Sequence, residues 1–192
     1  MASVRRVAIA FAIVAGLAVL VPITLFVTYD LSCFQSRRDE IRSLGMQTPL
    51  PATSTATLSA LMRADYEETG YSHITARILI DKLPIEWNGN GRMGWQTTFA
   101  IWTLLVHLHL DEREQFAIIA GNSYMGLERY GFAAEATARF GKPLALLNEE
   151  ELATLVVLLH APSMYQENPE LLLKRRDRLV GKIQEYRAPI AQ

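Results

Sequence analysis

From Val7 to Tyr29 the chain carries no charged side chain, and apolar residues fill nearly every position. At a rise of about 1.5 Å per residue the run reaches roughly 34 Å as a helix, enough to cross the hydrocarbon core of a bilayer. Arg5 and Arg6 precede it and Asp30 follows it, so the positive-inside tendency keeps the amino terminus cytoplasmic and exports the rest. A cleaved signal peptide has a shorter apolar region, roughly 7 to 15 residues, and a small-residue cleavage site that is not evident here. The run is therefore read as an uncleaved anchor.

Beyond the anchor, charged residues 30–45 are able to prolong the helix as a stalk. Thr48 to Thr57, with Pro49 and Pro51 among Ser and Thr, reads as an extended linker. Helical spacing of apolar residues then recurs at Leu58, Leu61 and Met62; Ile74, Ile78 and Leu79; Phe99 through Leu110; Phe116, Ile118 and Ile119; Leu152 through Leu159; and Leu171 through Ile183. No strand pattern of comparable strength appears. Breakers separate the runs at Asn88 to Gly91, Gly126, Gly141 to Pro143 and Ala161 to Ser163. Asp111 with Glu114, and Asn148 with Glu151, have the spacing of a side-chain cap answered by a carboxylate one turn later. The organisation is thus residues 1–29 tip and transmembrane anchor, 30–57 stalk and linker, 58–187 a mainly α domain, and 188–192 a tail.

Charge changes this picture little. Lys and Arg number 19 against 20 Asp and Glu, a net charge of -1, so no global field draws the chain to nucleic acid. Cys33 is the single cysteine and has no partner for an internal disulfide; it reads as a free juxtamembrane thiol, with no lipid attached. His107 and His109 point about 200° apart on a helix and do not form a metal pair. The run Lys174, Arg175, Arg176 and Arg178 suits a solvated helix face as well as it suits anionic headgroups. Glu149 to Glu151 read as first-turn acids opposing the helix dipole.

A more specific signal lies in Tyr130-Gly131-Phe132-Ala133-Ala134-Glu135-Ala136-Thr137-Ala138-Arg139-Phe140-Gly141-Lys142. This tract resembles Y-G-I-x-A-A-A-x-x-Y-F-G-K of the family-51 peptidoglycan glycosyltransferases, the transglycosylase domain of penicillin-binding proteins. In the same order, Leu147 to Ala153 resembles the family's L-x-x-x-E-A-A, Ala161-Pro162-Ser163 with Tyr165 its A-P-S-x-Y, and Arg175-Arg176 its R-R-N. Asp111 to Gly126 and Gly70 to Thr75 resemble the upstream S-K-D-E-I-L-E and G-G-S-T-I-T-Q tracts. The resemblance spans roughly residues 58 to 185, and within it Ala134, Ala138 and Gly141 are read as permitting close helix approach.

The resemblance implies a mainly α, lysozyme-like helical lobe behind one transmembrane helix, in the cytoplasmic membrane with its domain periplasmic, and lipid II or peptidoglycan as ligand. The polymerisation chemistry needs a carboxylate base for the acceptor hydroxyl and cations for the departing pyrophosphate. The family's E-D-x-x-F-x-x-H has its nearest text at Glu67 to His73, one residue short and overlapping the S-x-I-T match at Ser72 to Thr75. Glu67 and Asp65 are the candidate bases under the two alignments, and Ser72, Thr75, Arg77 and Lys82 the candidate substrate contacts. At the second carboxylate motif, R-K-x-x-E, the alternative registers offer Phe99 or Gln96 in place of an acid, and Ala76, Gly121 and Ala117 replace further polar residues. The expectation is a degenerate or truncated member with little or no catalysis, with no metal and no cofactor. One alternative is an active polymerase using Glu67 or Asp65; another is a docking subunit for other membrane proteins, for which Trp87, Trp95 and Trp102 exposed on one face would be the sign.

Overall fold

The computed structural model describes residues 2–47, 50–67, 70–85 and 91–187, and the chain divides into two compact units, 1–40 and 41–192. In the first unit, α1 (Ala2–Tyr29) contains Pro22 and passes through a π-helical turn (Asp30–Phe34) and a 3-10 turn (Gln35–Arg37). Along α1, Leu17, Leu20, Ile23 and Leu25 are exposed, and the most apolar window of the helical run averages a hydropathy of 2.0. The Thr24 hydroxyl donates to Leu20 O at 2.8 Å, so that polar side chain is satisfied within the helix. A helix able to cross a membrane thus stands near the amino terminus.

α2 (Arg38–Met46) bridges the boundary between the units. The second unit is mainly α: α3 (Ala52–Asp65), α4 (Ser72–Lys82), α5 (Arg92–His109), α6 (Glu112–Asn122), α7 (Phe132–Phe140), α8 (Glu149–Leu158), α9 (Pro162–Glu167) and α10 (Pro169–Arg187). Its centre is α8, where Leu152 through Leu158 are all buried, a helix apolar on every side as a core helix must be. α3 and α10 pack on α8 and on each other, α4 packs on α5 and α6, and α7 joins the two groups through α6 and α8. Both expected caps form reciprocally. Asp111 Oδ1 accepts from the Arg113 and Glu114 amides at 2.8 Å while Glu114 Oε2 accepts from Asp111 N at 3.1 Å. Asn148 and Glu151 exchange the same bonds at 2.8 and 2.9 Å.

Three sequence expectations meet a different outcome. Residues 52–57, read as extended linker, are the first turns of α3, with Pro51 at the N-cap. Proline is unopposed at a helix start, and the buried Ser54 hydroxyl docks the segment by donating to Leu144 O at 2.8 Å. Thr48 and Pro49 lie outside the described residues, as do Trp87 and the 188–192 tail. A short hairpin, β1 (Tyr124–Gly126) paired antiparallel with β2 (Arg129–Tyr130), interrupts the helices. Strands of two and three residues leave no readable alternation. Their turn holds Leu127 and Glu128 at φ 48° and 58°, the two left-handed residues that match hairpin twist. Finally, Ala134 and Ala138 are exposed, and a Cβ on Gly141 would meet nothing within 4 Å. Gly141 instead ends α7 at φ 64° in the left-handed cap conformation.

Trp102 is fully buried, and Trp95 stacks on Phe99 with ring centroids 5.0 Å apart. These two therefore do not form a joint exposed aromatic face.

Candidate functional site

A cleft of about 580 Å³ opens between α4, the β1–β2 hairpin and the loop that joins α8 to α9. α4 supplies Ile74, Arg77, Ile78, Asp81 and Lys82, spaced so that one helix face turns toward the cleft. Facing it are Asn122, Ser123, Tyr124 and Tyr130, with Leu159, His160 and Pro162 closing the end. The Lys82 ammonium sits 4.4 Å from the Tyr130 ring centroid, and Tyr130 tilts against Tyr124 at 5.5 Å. This cation and ring hold each other in place at the mouth.

Ser123 has only 3 % of its surface exposed, yet its hydroxyl has no hydrogen-bond partner among the described residues. Its backbone is fully used, N to Ile119 O at 3.0 Å and O from Gly131 N at 2.8 Å. A buried hydroxyl left unpaired costs about 1 to 3 kcal/mol, and this one would have to be uncovered before a polar ligand in the cleft could bond it. Neighbouring Asn122 is already committed, its amide donating to Leu44 O and Ile118 O at 3.1 and 3.0 Å.

The sequence-predicted residues separate into two groups. Arg77 and Lys82 line the cleft. Ser72 instead donates to Gln115 Oε1 at 3.0 Å, and Thr75 is fully buried with its hydroxyl toward Tyr71 O at 3.4 Å. Neither carboxylate candidate lines the cleft. Glu67, half exposed, pairs with Lys182 at 2.9 Å. Asp65 lies 2.6 Å from His160 Nε2 and 3.5 Å from Arg175, while that same His160 nitrogen is 2.8 Å from Arg175 Nη2. One ring nitrogen cannot both donate to the carboxylate and accept from the guanidinium, but under either arrangement Asp65 is held among donors and cations. Burial opposes the charge on Arg175, and Tyr165 and Asp65 outweigh it and raise its pKa. Tyr66 stacks on His160 at 4.7 Å, and burial followed by the Asp65 charge pushes its phenol well above the ordinary value.

Asn122, Ser123, Tyr124, Tyr130, Asp81 and His160 are the polar lining residues that sequence reasoning did not name as candidate contacts. Tyr124 and Tyr130 stand in the matched tracts and His160 directly precedes Ala161-Pro162-Ser163, so proximity to motifs was the available signal. Asp81 is the one carboxylate among the described lining residues.

His73, next to the cleft helix's first residue, is half buried, and that burial lowers its pKa, against a backbone bond at Gly70 and with help from His160. The folded state therefore takes up this proton at lower pH than the unfolded chain. The stability contributed is fully present above about pH 6.5 and falls as the pH drops toward the folded value. His73→Gln is expected to flatten that acid limb in urea midpoints measured between about pH 7 and 5; an unchanged limb would show that the imidazole is as hydrated folded as unfolded.

None of the curated proteins matches the chain significantly. Residues 89–184, from the start of α5 through nearly all of α10 and so including the hairpin and His160, match the transglycosylase family. That span is half of the 192 residues, and the chain belongs to the transglycosylase family, whose domain is a lysozyme-like helical fold.

Proposed function

We propose that this chain is a periplasmic, membrane-anchored transglycosylase-like domain of peptidoglycan assembly that binds lipid II in its cleft and does not polymerise it. Peptidoglycan glycosyltransferase-like function follows from the family, and the amino-terminal helix is long and apolar enough to cross a membrane. The finer reading is carried by one contrast. The cleft presents two cations, Arg77 and Lys82, with the Tyr124 and Tyr130 rings across from them, a set suited to a pyrophosphate and to sugar faces. The candidate bases Asp65 and Glu67 meanwhile stand outside its lining, Glu67 tied to Lys182 and Asp65 to Arg175 and to His160, which closes one end of the cleft. A carboxylate whose acceptor positions face cations is a weak base.

A second reading, retained polymerisation, rests on Asp81, which lines the cleft beside Lys82. A docking role through exposed tryptophans loses its main support with Trp102 in the core.

The test uses the full-length protein in detergent with labelled lipid II, following binding and glycan polymer together. Binding without polymer is expected, weakened about tenfold or more by Arg77→Gln or Lys82→Gln, as loss of one charge-assisted bond implies. Asp65→Asn, Glu67→Gln and Asp81→Asn are expected to leave the absence of polymer unchanged. Polymer made by the wild type and abolished by one of these three substitutions would overturn the reading and name the base.

A further inference from the structure

A second groove, also of about 580 Å³, runs between the end of α3, α9 and α10, and shares no lining residue with the cleft. Its α10 wall carries Lys174, Arg175, Arg178 and Lys182, at helix spacings of one, four and eight residues, and Asp65 is the one carboxylate among the described lining residues. Two of these cations are already engaged. Arg175 donates to Tyr165 Oη at 3.3 Å and bonds Asp65, and Lys182 donates to Ala64 O at 2.6 Å and pairs with Glu67. Lys174 and Arg178 have no hydrogen bond or ion pair to any described residue. They stand one turn apart, about 6 Å along the helix, a separation that one phosphate group spans. Arg176, by contrast, is neutralised by Asp177 at 2.6 Å.

The rim beside these open cations is apolar. Met164 and Leu171 both line the groove and remain 41 % and 45 % exposed. A free inorganic anion would use the two cations and gain nothing from the rim, whereas an anionic amphiphile uses both. The same chain carries a helix able to cross a bilayer, so phospholipid is continuously at hand. We propose that this groove binds the headgroup of an anionic phospholipid, with Lys174 and Arg178 on its phosphate and Met164 and Leu171 against the first carbons of its chains. The assignment is independent of what the cleft holds.

The test titrates the full-length protein, in a nonionic detergent at low ionic strength, with water-soluble dihexanoyl phosphatidylglycerol, its phosphatidylcholine counterpart and inorganic phosphate, read by calorimetry. Phosphatidylglycerol is expected to bind at least about tenfold more tightly than phosphatidylcholine, and Lys174→Gln/Arg178→Gln to weaken it roughly tenfold to thirtyfold. Arg92→Gln/Arg113→Gln, which removes the same charge from exposed helix starts elsewhere, is expected to stay within about twofold of wild type. So is the charge-conserving Lys174→Arg/Arg178→Lys, which guards against a fold defect. Lipid II binding, a property of the cleft, should be unmoved by all of these. The proposal is overturned by equal affinity for the two lipids, by a groove variant that behaves like the Arg92/Arg113 control, or by inorganic phosphate that binds as tightly as phosphatidylglycerol.

Discussion

Replacing Gly131 by alanine is expected to lower the stability of the helical unit by about 3 kcal/mol or more, the sum of backbone strain and a steric conflict that cannot relax. Gly131 holds φ 82° and ψ 154°, a region that side chains with a Cβ scarcely enter. A Cβ there would stand 2.6 Å from Gly121 O and 3.1 Å from Ala120 O, both backbone atoms of the last turn of α6. A flexible side chain could step aside; a helix carbonyl cannot without losing its own place. Gly131 also donates its amide to Ser123 O at 2.8 Å and accepts at its carbonyl from Glu135 N at 3.3 Å, so it ties the hairpin to α6 and opens α7. The measurement is a urea midpoint for the full-length protein in detergent, beside Gly141→Ala as a contrast. Gly141 has positive φ, 64°, but open space around it, and its alanine should cost only about 1 to 2 kcal/mol. Gly131→Ala no worse than Gly141→Ala would mean that the close approach to α6 relaxes in solution. Because Gly131 follows Tyr130 and bonds Ser123, the same substitution should also weaken any ligand held by the cleft.

These two glycines show how far the sequence could be read. Their order in the chain, Tyr130-Gly131 and then Phe140-Gly141, was enough to carry the family resemblance. Their physical roles were not legible, since a close approach to α6 depends on a partner ten residues upstream that no local pattern announces. The same limit explains Ala134 and Ala138. Small residues at helical spacing look like a packing face, but the face of α7 that turns inward is Phe132, Glu135 and Ala136. Helix existence was readable from apolar spacing, and helix starts at Asp111 and Asn148 from caps, because both are set within one or two turns of chain. The helical start at 52–57 is not legible locally, since the contact that docks it, Ser54 to Leu144, lies 90 residues away in the chain. In the cleft, Arg77 and Lys82 were found because a motif sits beside them. Ser123 and His160 were not, since an unpaired hydroxyl is a property of the folded surroundings and not of serine. Asp65 and Glu67 were read as chemical candidates from residue type, and their capture by His160, Arg175 and Lys182 is again tertiary.

Glu135 is the sharpest case of a residue whose meaning the sequence alone hides. Its side chain is fully buried, Oε2 accepting from Arg129 Nε at 2.6 Å and Oε1 from Arg139 Nε at 2.8 Å. Arg129 lies on β2 and Arg139 one turn further along α7, so a single carboxylate fastens the hairpin to the helix that follows it. In the family pattern the positions of Glu135 and Arg139 are alanine and tyrosine. This chain departs at both, and the two departures bond to each other. Glu135→Ala leaves two guanidinium groups facing each other without their counter-ion. They retain 28 % and 26 % exposure and so recover part of their hydration, which places the expected loss at the lower end of the range for a broken buried pair, about 3 kcal/mol. Arg139→Ala alone should cost less, since Arg129 still holds the carboxylate. A double-mutant cycle between Glu135 and Arg139 should show a coupling of about 1 to 3 kcal/mol. Tyr124 and Tyr130 ride on the hairpin, so Glu135→Ala should weaken cleft binding along with stability, whereas a core truncation remote from the hairpin should lower stability alone. A loss under about 1 kcal/mol would mean that the carboxylate is dispensable. The wall of the cleft would then be held by the packing of Phe132 and Ala136, with the two arginines serving only to keep the buried carboxylate satisfied.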